Sequence, residues 1–348
     1  GYAGSPAPLA HALINDFPEV EAAVKFRDYG SVLVKRTSQN YKEREVLYAD
    51  STLFDVFDFD LLKGDKAALS EPNTVVISAS MSSKYFKNED PLGKTLTIDD
   101  QTILKVTGVI ADLPPNSHFK ADFFISLTGG NEANNGVWLS NNFPTYYVLK
   151  EGVDHSAFEA KVSPHLMSKY ISPQIEMMMG VTYDEMIASG AYINYFFQPL
   201  RDIHLHSDLV AEIGANGSIQ YVWIFLSAAF FILIIACVNF MNLTTARSSL
   251  RAKEIGVRKV LGSLKKDLVS QFLCESLVLT SVAFVISLII TQLTLPAYNA
   301  LANKDLVIPY GDPVFWSVSL VGVLIVGLLA GSYPALFLSG FKPIHALS

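Results

Sequence analysis

Cysteine is nearly absent: among 348 residues there are two, Cys237 and Cys274, both in the apolar C-terminal part. Residues 1–220 therefore have no disulfide and no thiolate metal site. A domain of that size buries enough core to need no such staple. A phosphate-binding loop is missing too. Gly93-Lys94-Thr95 comes nearest, but position 88, where the motif needs glycine, is Asn88. Gly93-Lys94 is read as a turn. No Gly-x-Ser-x-Gly elbow, Ser/His/Asp order or paired-carboxylate pattern stands out. His204 and His206 have the i, i+2 spacing of a strand, with Asp202 and Asp208 the nearest carboxylates. No third ligand joins them, so neither a metal nor a cofactor is expected. Basic charge is also short in the first part. Residues 1–220 carry 17 Lys+Arg against 28 Asp+Glu, a net of −11, whereas residues 221–348 carry 9 against 5, a net of +4. An acidic first part argues against nucleic acid as a partner.

Charge is wholly absent from three stretches, 213–246, 276–303 and 313–341. Each exceeds the roughly 20 residues that cross a hydrocarbon core. Three in succession argue for membrane spans rather than buried helices of a soluble core. The sequence thus divides into residues 1–219, read as an extracytoplasmic domain, and residues 220–348, read as a transmembrane domain. Spans are expected at about 221–244, 274–296 and 314–338, with a loop at 246–267 between the first two. No span has an ionisable residue near its centre; Glu275 stands at an inner end. An ion or proton pathway would need a charge at mid-membrane. The third span contains Gly327-x-x-x-Gly331, a spacing that lets helices pack closely.

Arg247, Arg251, Lys253, Arg258, Lys259, Lys265 and Lys266 crowd the first loop against Glu254 and Asp267. The second loop has only Lys304, beside Asp305 and Asp312. The positive-inside rule sets the first loop in the cytoplasm and residues 1–219 outside. Tyr221, Trp223, Tyr298, Tyr310 and Trp316 then fall at outer interfaces, where amphipathic rings are favoured. Something must carry residues 1–219 across the membrane, so a further transmembrane helix is expected upstream of Gly1, and the chain is read as a fragment.

Residues 1–219 read as α+β in two lobes. Strands are expected at 20–26, 31–35, 45–49, 74–78, 122–127, 145–149 and 195–199. A hairpin of 94–98 and 103–110 is expected to turn at Asp99-Asp100. Helices are expected at 6–15, at 80–86 with Ser80 as N-cap, and at 154–167 opened by Asp154. Residues 131–142, rich in Asn and Gly, read as a loop.

In the basic loop, Leu250, Val257, Leu261 and Leu264 line one helical face. Arg251, Glu254 and Arg258 lie on another, with Glu254 four residues ahead of Arg258, the favourable order for an ion pair. Gly262 can end such a helix. The spacing fits equally an anchor on anionic lipid and a docking surface for a cytoplasmic partner.

Residues 237–247 (CVNFMNLTTAR), 251–262 (RAKEIGVRKVLG) and 271–276 (QFLCES) resemble the FtsX-like permease module of MacB-type ABC transporters. Upstream, 16–20 (DFPEV), 75–78 (VVIS), Tyr85-Phe86 and 90–94 (DPLGK) are similar to the MacB-type periplasmic core domain, in the style of the long permeases of Bacteroidota. The resemblance implies four membrane helices per unit, the first lying upstream. It implies a dimer or pseudo-dimer of permease copies or halves, served by a separate cytoplasmic ATPase. It further implies that the loop helix docks on that ATPase through Arg251, Glu254, Ile255, Gly256, Arg258, Lys259, Leu261 and Gly262. ATP-driven movement would then be relayed to the outer domain, a mechanotransmission that needs no substrate path through the spans. The implied partners are the ATPase, a second permease copy or half, the bilayer and an extracytoplasmic protein; ATP hydrolysis belongs to the partner subunit. Competing readings are a membrane-anchored sensor or a regulator of cell-envelope hydrolases, and an anchored hydrolase. Peptide or drug export and lipoprotein release stay undivided.

Overall fold

The computed structural model describes residues 1–348 apart from 37–38, 115, 215, 261–263, 303, 305 and 340–348. The side chains of 247–260, 265, 334 and 336–339 are likewise outside the described set. The chain forms two compact units, Gly1–Ile219 and Gln220–Ser348.

In the first unit the elements run β1 (Ser5–Pro6), α1 (Leu9–Asp16), β2 (Val20–Arg27), β3 (Val32–Arg36), β4 (Gln39–Glu43), β5 (Val46–Ala49), α2 (Leu53–Val56), β6 (Leu61–Lys63), β7 (Thr74–Ser78) and α3 (Ala79–Phe86). There follow β8 (Thr95–Ile98), β9 (Thr102–Ile110), β10 (Phe123–Ser126), β11 (Asn141–Phe143), β12 (Thr145–Leu149), α4 (His155–Leu166), a π-helical turn at Met167–Ile171, α5 (Ser172–Met179), α6 (Tyr183–Ala188) and α7 (Leu200–His206). Nine strands form one sheet in the order β12-β2-β5-β10-β7-β9-β8-β3-β4, with β6 added on β9. The pairs β5–β10 and β7–β9 are parallel and the others antiparallel.

Both faces of this sheet are covered, so its central strands are apolar throughout rather than alternating. On β7, Val75 and Ile77 enter one cluster with Phe123 and Ile125 of β10 and with Phe86 of α3. Val76, from the opposite face, joins Phe124, Phe26 and Leu69. Each such fully buried side chain stabilises the fold by roughly 1.5–3 kcal/mol. A third cluster, with Leu13, Phe17, Phe158, Val162 and Ile175, joins α1 to α4 and α5 and builds the helical part of the unit.

Local chemistry explains the boundaries. Asp99 and Asp100 both have positive φ, 50° and 55°, so the β8–β9 hairpin closes where expected. Asp154 caps α4 by accepting from Ala157 N at 2.8 Å. Helix α6, which sequence patterning missed, opens on a capping box of Thr182 and Glu185. Three expectations are corrected. The α3 N-cap is Ser78, whose hydroxyl accepts from Met81 N; Ser80 sits inside the helix and its hydroxyl donates to Asp112 at 2.7 Å. Residues 195–199 form no strand, because Phe197 N donates to the Glu159 carboxylate rather than to a neighbouring strand. His204 and His206 lie on α7, not on a strand. At 3.6 residues per turn, the i, i+2 spacing turns them to opposite sides.

The second unit is all α: α8 (Ile219–Val260), α9 (Lys265–Ala302) and α10 (Pro313–Ser339). All three are long and apolar enough to cross a membrane, over Ile219–Ala246, Lys266–Ala302 and Pro313–Tyr333. Trp316, at the start of α10, donates its Nε1–H to the carbonyl of Tyr310 in the preceding connection at 2.8 Å.

Candidate functional site

The basic loop is continuous with the first span. Helix α8 has 42 residues. At 1.5 Å per residue it is about 63 Å long, twice the roughly 30 Å of a hydrocarbon core. Its charge-free part ends at Ala246 and the backbone stays helical to Val260. Ala246–Val260 is free of proline, and Ala, Arg, Lys, Leu and Glu there favour helix. Gly256 costs only about 1 kcal/mol within the helix. The backbone of Arg251, Glu254, Ile255, Gly256, Arg258 and Lys259 thus occupies the last turns of α8. Their side-chain geometry, and Leu261 and Gly262 altogether, lie outside the described residues.

Helix α9 starts just beyond. Asp267 accepts from Leu264 N at 3.2 Å and so closes its first turn. Leu268 and Phe272 are buried against Ala335 of α10. About one turn further on, the two helices are again in close contact. Ser276, 3% exposed, holds its hydroxyl 2.9 Å from the Leu273 carbonyl and 2.8 Å from the Gly327 carbonyl of α10. A Cβ on Gly327 would stand 2.7 Å from Leu277 Cδ2, and one on Gly331 would stand 2.1 Å from Ser276 Oγ. Gly331 therefore lies where Ser276 leaves no room for a side chain, and a side chain at Gly327 would have to displace that of Leu277. The sequence motif marked the glycines but not Ser276. A lone serine next to Glu275 carries no spacing signal of its own.

In the outer unit, no group of three or more His, Cys, Asp or Glu side chains gathers as a metal site among the described residues. Gly93 has φ of +75° in the turn leading into β8. The charged groups mostly serve the fold. Lys25 is buried, with Nζ donating to the Ala7 and Ala133 carbonyls and lying 3.8 Å from Asp50. Burial pulls its pKa down and Asp50 partly offsets this. Asp16, at the end of α1, accepts from Lys169 and Tyr170 and bonds His165, which fastens α1 to the helical part. His118 lies 2.7 Å from the Tyr146 hydroxyl, and burial lowers its pKa against the pull of Glu212. One large groove, about 890 Å³, runs beside β12 and is lined by Tyr147, Tyr195, Phe196 and Phe197 among others.

Comparison with known proteins bears on this architecture. Residues 1–164 match the MacB-like periplasmic core domain, and residues 226–343 match the FtsX-like permease C-terminal domain. The macrolide export ATP-binding/permease protein MacB of Campylobacter jejuni is 28% identical over 116 residues, 33% of this chain and 18% of that protein. An uncharacterized ABC transporter permease of Bacillus subtilis, YknZ, is 23% identical over 83% of this chain and 63% of its own length. The chain therefore spans less than two thirds of either relative. Among solved structures, a domain of a putative permease from Porphyromonas gingivalis is similar at a TM-score of 0.44, with 24% identity over 50% of this chain and 82% of that one. Through these two matched domains, in this order, the chain belongs to the MacB/FtsX-type family of ABC transporter permeases, as a multi-pass inner-membrane protein with an extracytoplasmic N-terminal domain.

Proposed function

We propose that the chain is the mechanical subunit of its transporter. A separate cytoplasmic ATPase docks on the end of α8, and nucleotide-driven movement is relayed along that helix to the outer domain. Substrate is exported or released outside without passing between these spans. The observation that supports this best is the unbroken course of α8, from Ile219, where the outer unit ends, to the basic residues before Val260. A stiff helix about 63 Å long transmits a displacement that a flexible loop would absorb. The lack of an ionisable residue near any span centre fits a relay rather than a conduit. No residue in the most apolar part of the α8 span is buried, which leaves that part for lipid or for helices of a second permease copy or half.

The test is a set of charge reversals, Arg251→Glu, Glu254→Arg, Arg258→Glu and Lys259→Glu, in the full-length protein with its ATPase. Loss of co-purification, or ATPase activity that no longer supports transport, is expected. Unchanged assembly and coupling would count against the proposal.

A further inference from the structure

We propose that residues 211–217, the last stretch of the outer unit before α8, form a latch that acid releases, with His118 as the residue that takes the proton. The stretch is held on the sheet at named points, residue 215 lying outside the described set. Ile213 and Tyr146 both pack against the cluster of Phe26, Phe119 and Phe124. A Cβ on Gly214 would stand 2.9 Å from the His118 carbonyl oxygen, so the two backbones touch there. Gly217 N donates to the His204 carbonyl of α7 at 2.8 Å.

The latch has a fixed end and a strained joint. Val210 accepts from Ala3 N at 2.9 Å and donates to the Gly1 carbonyl at 3.1 Å. Ala211, next to it, has φ of 64°, a left-handed conformation that a residue with a Cβ keeps only when its surroundings hold it. Release of 212–217 therefore relieves strain at Ala211 while Val210 stays tied.

His118 stands where a positive charge is disfavoured. Its half-buried imidazole is edge-on to the rings of Phe119 and Tyr146, with Nε2 2.7 Å from the Tyr146 hydroxyl. The ionisable groups that face it are Tyr146 of β12, Glu212 of the latch and His204 of α7. Burial raises the pKa of Tyr146, which stays protonated. Burial also disfavours charge on His118, Glu212 draws it the other way, and a protonated His204 repels it. The balance leaves the His118 pKa below its ordinary value of about 6.5. Above that pH the ring is neutral in both states and the latch is closed. As pH falls through the lower folded value, the open state takes the proton more readily and gains population. Opening gives the imidazolium water. The outer unit is extracytoplasmic, so external acid reaches His118 directly. Helix α8 follows the latch at Ile219, so acid loosens the stretch that joins the sheet to that helix.

The experiment follows amide exchange by mass spectrometry in the full-length permease in lipid nanodiscs, near pH 7.5 and near pH 5, corrected for intrinsic exchange rates. Protection of 211–217, relative to β7 and β9, is expected to fall about threefold or more in acid. His118→Gln keeps a donor for the Tyr146 hydroxyl and cannot titrate, so its relative protection is expected to be the same at both pH values. Two further variants move the midpoint of release in opposite directions. Glu212→Gln keeps an acceptor for the Ser207 hydroxyl and is expected to lower it, whereas His204→Gln is expected to raise it. These opposite shifts decide the matter where His118→Gln lowers protection at both pH values. The proposal is overturned if the parent is equally protected at both pH values, if His118→Gln responds to acid as the parent does, or if the two further variants shift the midpoint in the same direction.

Discussion

The Ser276 hydroxyl on α9 lies 2.8 Å from the Gly327 carbonyl on α10, and that hydroxyl occupies the space a side chain on Gly331 would need. Gly331→Leu is therefore expected to separate the pair, at a cost of about 1–3 kcal/mol from overpacking. Ser276→Ala adds no bulk and removes the hydroxyl's contacts with the Leu273 and Gly327 carbonyls, of which the interhelical one is worth about 0.6 kcal/mol in a bilayer. Thermal unfolding in matched detergent would check the order. Equal effects from the two substitutions would argue against close packing at Gly331.

Helix continuity is open to a direct break. Ala246→Pro removes a helical hydrogen bond and kinks α8 where its charge-free part ends; such a residue costs about 3 kcal/mol in a helix interior. Partner ATPase activity is expected to persist while transport falls, with Ala246→Leu as the helix-preserving control. Transport at the control level in the proline variant would remove the mechanical reading.

Asp16 carries a pH dependence. Burial pushes its carboxyl up, but the bonds from Lys169, His165 and Tyr170, with the charge of Lys169, outweigh this and hold it below its ordinary value. A depressed carboxylate stabilises the fold above the unfolded pKa of about 3.9, and that stability is lost as pH falls through the folded value. Asp16→Asn is expected to cost about 1.5–3 kcal/mol at pH 7 and to differ less from the parent near pH 3. Urea unfolding at both pH values measures this.

Asp122 should behave in the opposite sense. Burial raises its pKa, Glu43 and Asp112 add to this, and the Ser78 hydroxyl and Lys84 oppose it. A raised carboxyl contributes stability in acid that is lost as pH rises through the folded value. Asp122→Asn keeps an acceptor for Ser78 and removes the ionisation. Its unfolding midpoint is expected above the parent's at pH 7 and level with it at pH 4. A lower midpoint at pH 7 would show that the carboxylate is needed charged.

Much of the outer fold was legible because its signals are short-range. Thr145–Leu149 and Thr74–Ser78 read as strands from four or five consecutive residues, and Asp99-Asp100 marked its own turn. Ser78 and Ser80 show where such reading fails. Both are good caps, and the choice fell to Asp112, 32 residues beyond Ser80, which takes the Ser80 hydroxyl. The polar strand β4 was missed because four of its five residues are exposed, its one buried residue is Glu43, and it carries no apolar period. His204 and His206 misled because a spacing has meaning only once helix or strand is known.

The sequence by itself determined that three segments cross a membrane and which way they run, because transfer into lipid depends on local composition and orientation on the count of basic residues beside each span. It also placed Glu254 one turn before Arg258. Only the tertiary structure decided that Ser276 meets Gly327 and that Lys25 is buried on two carbonyls. Each of these depends on residues far apart in the chain. Their meeting is set by how elements pack, which no local spacing records.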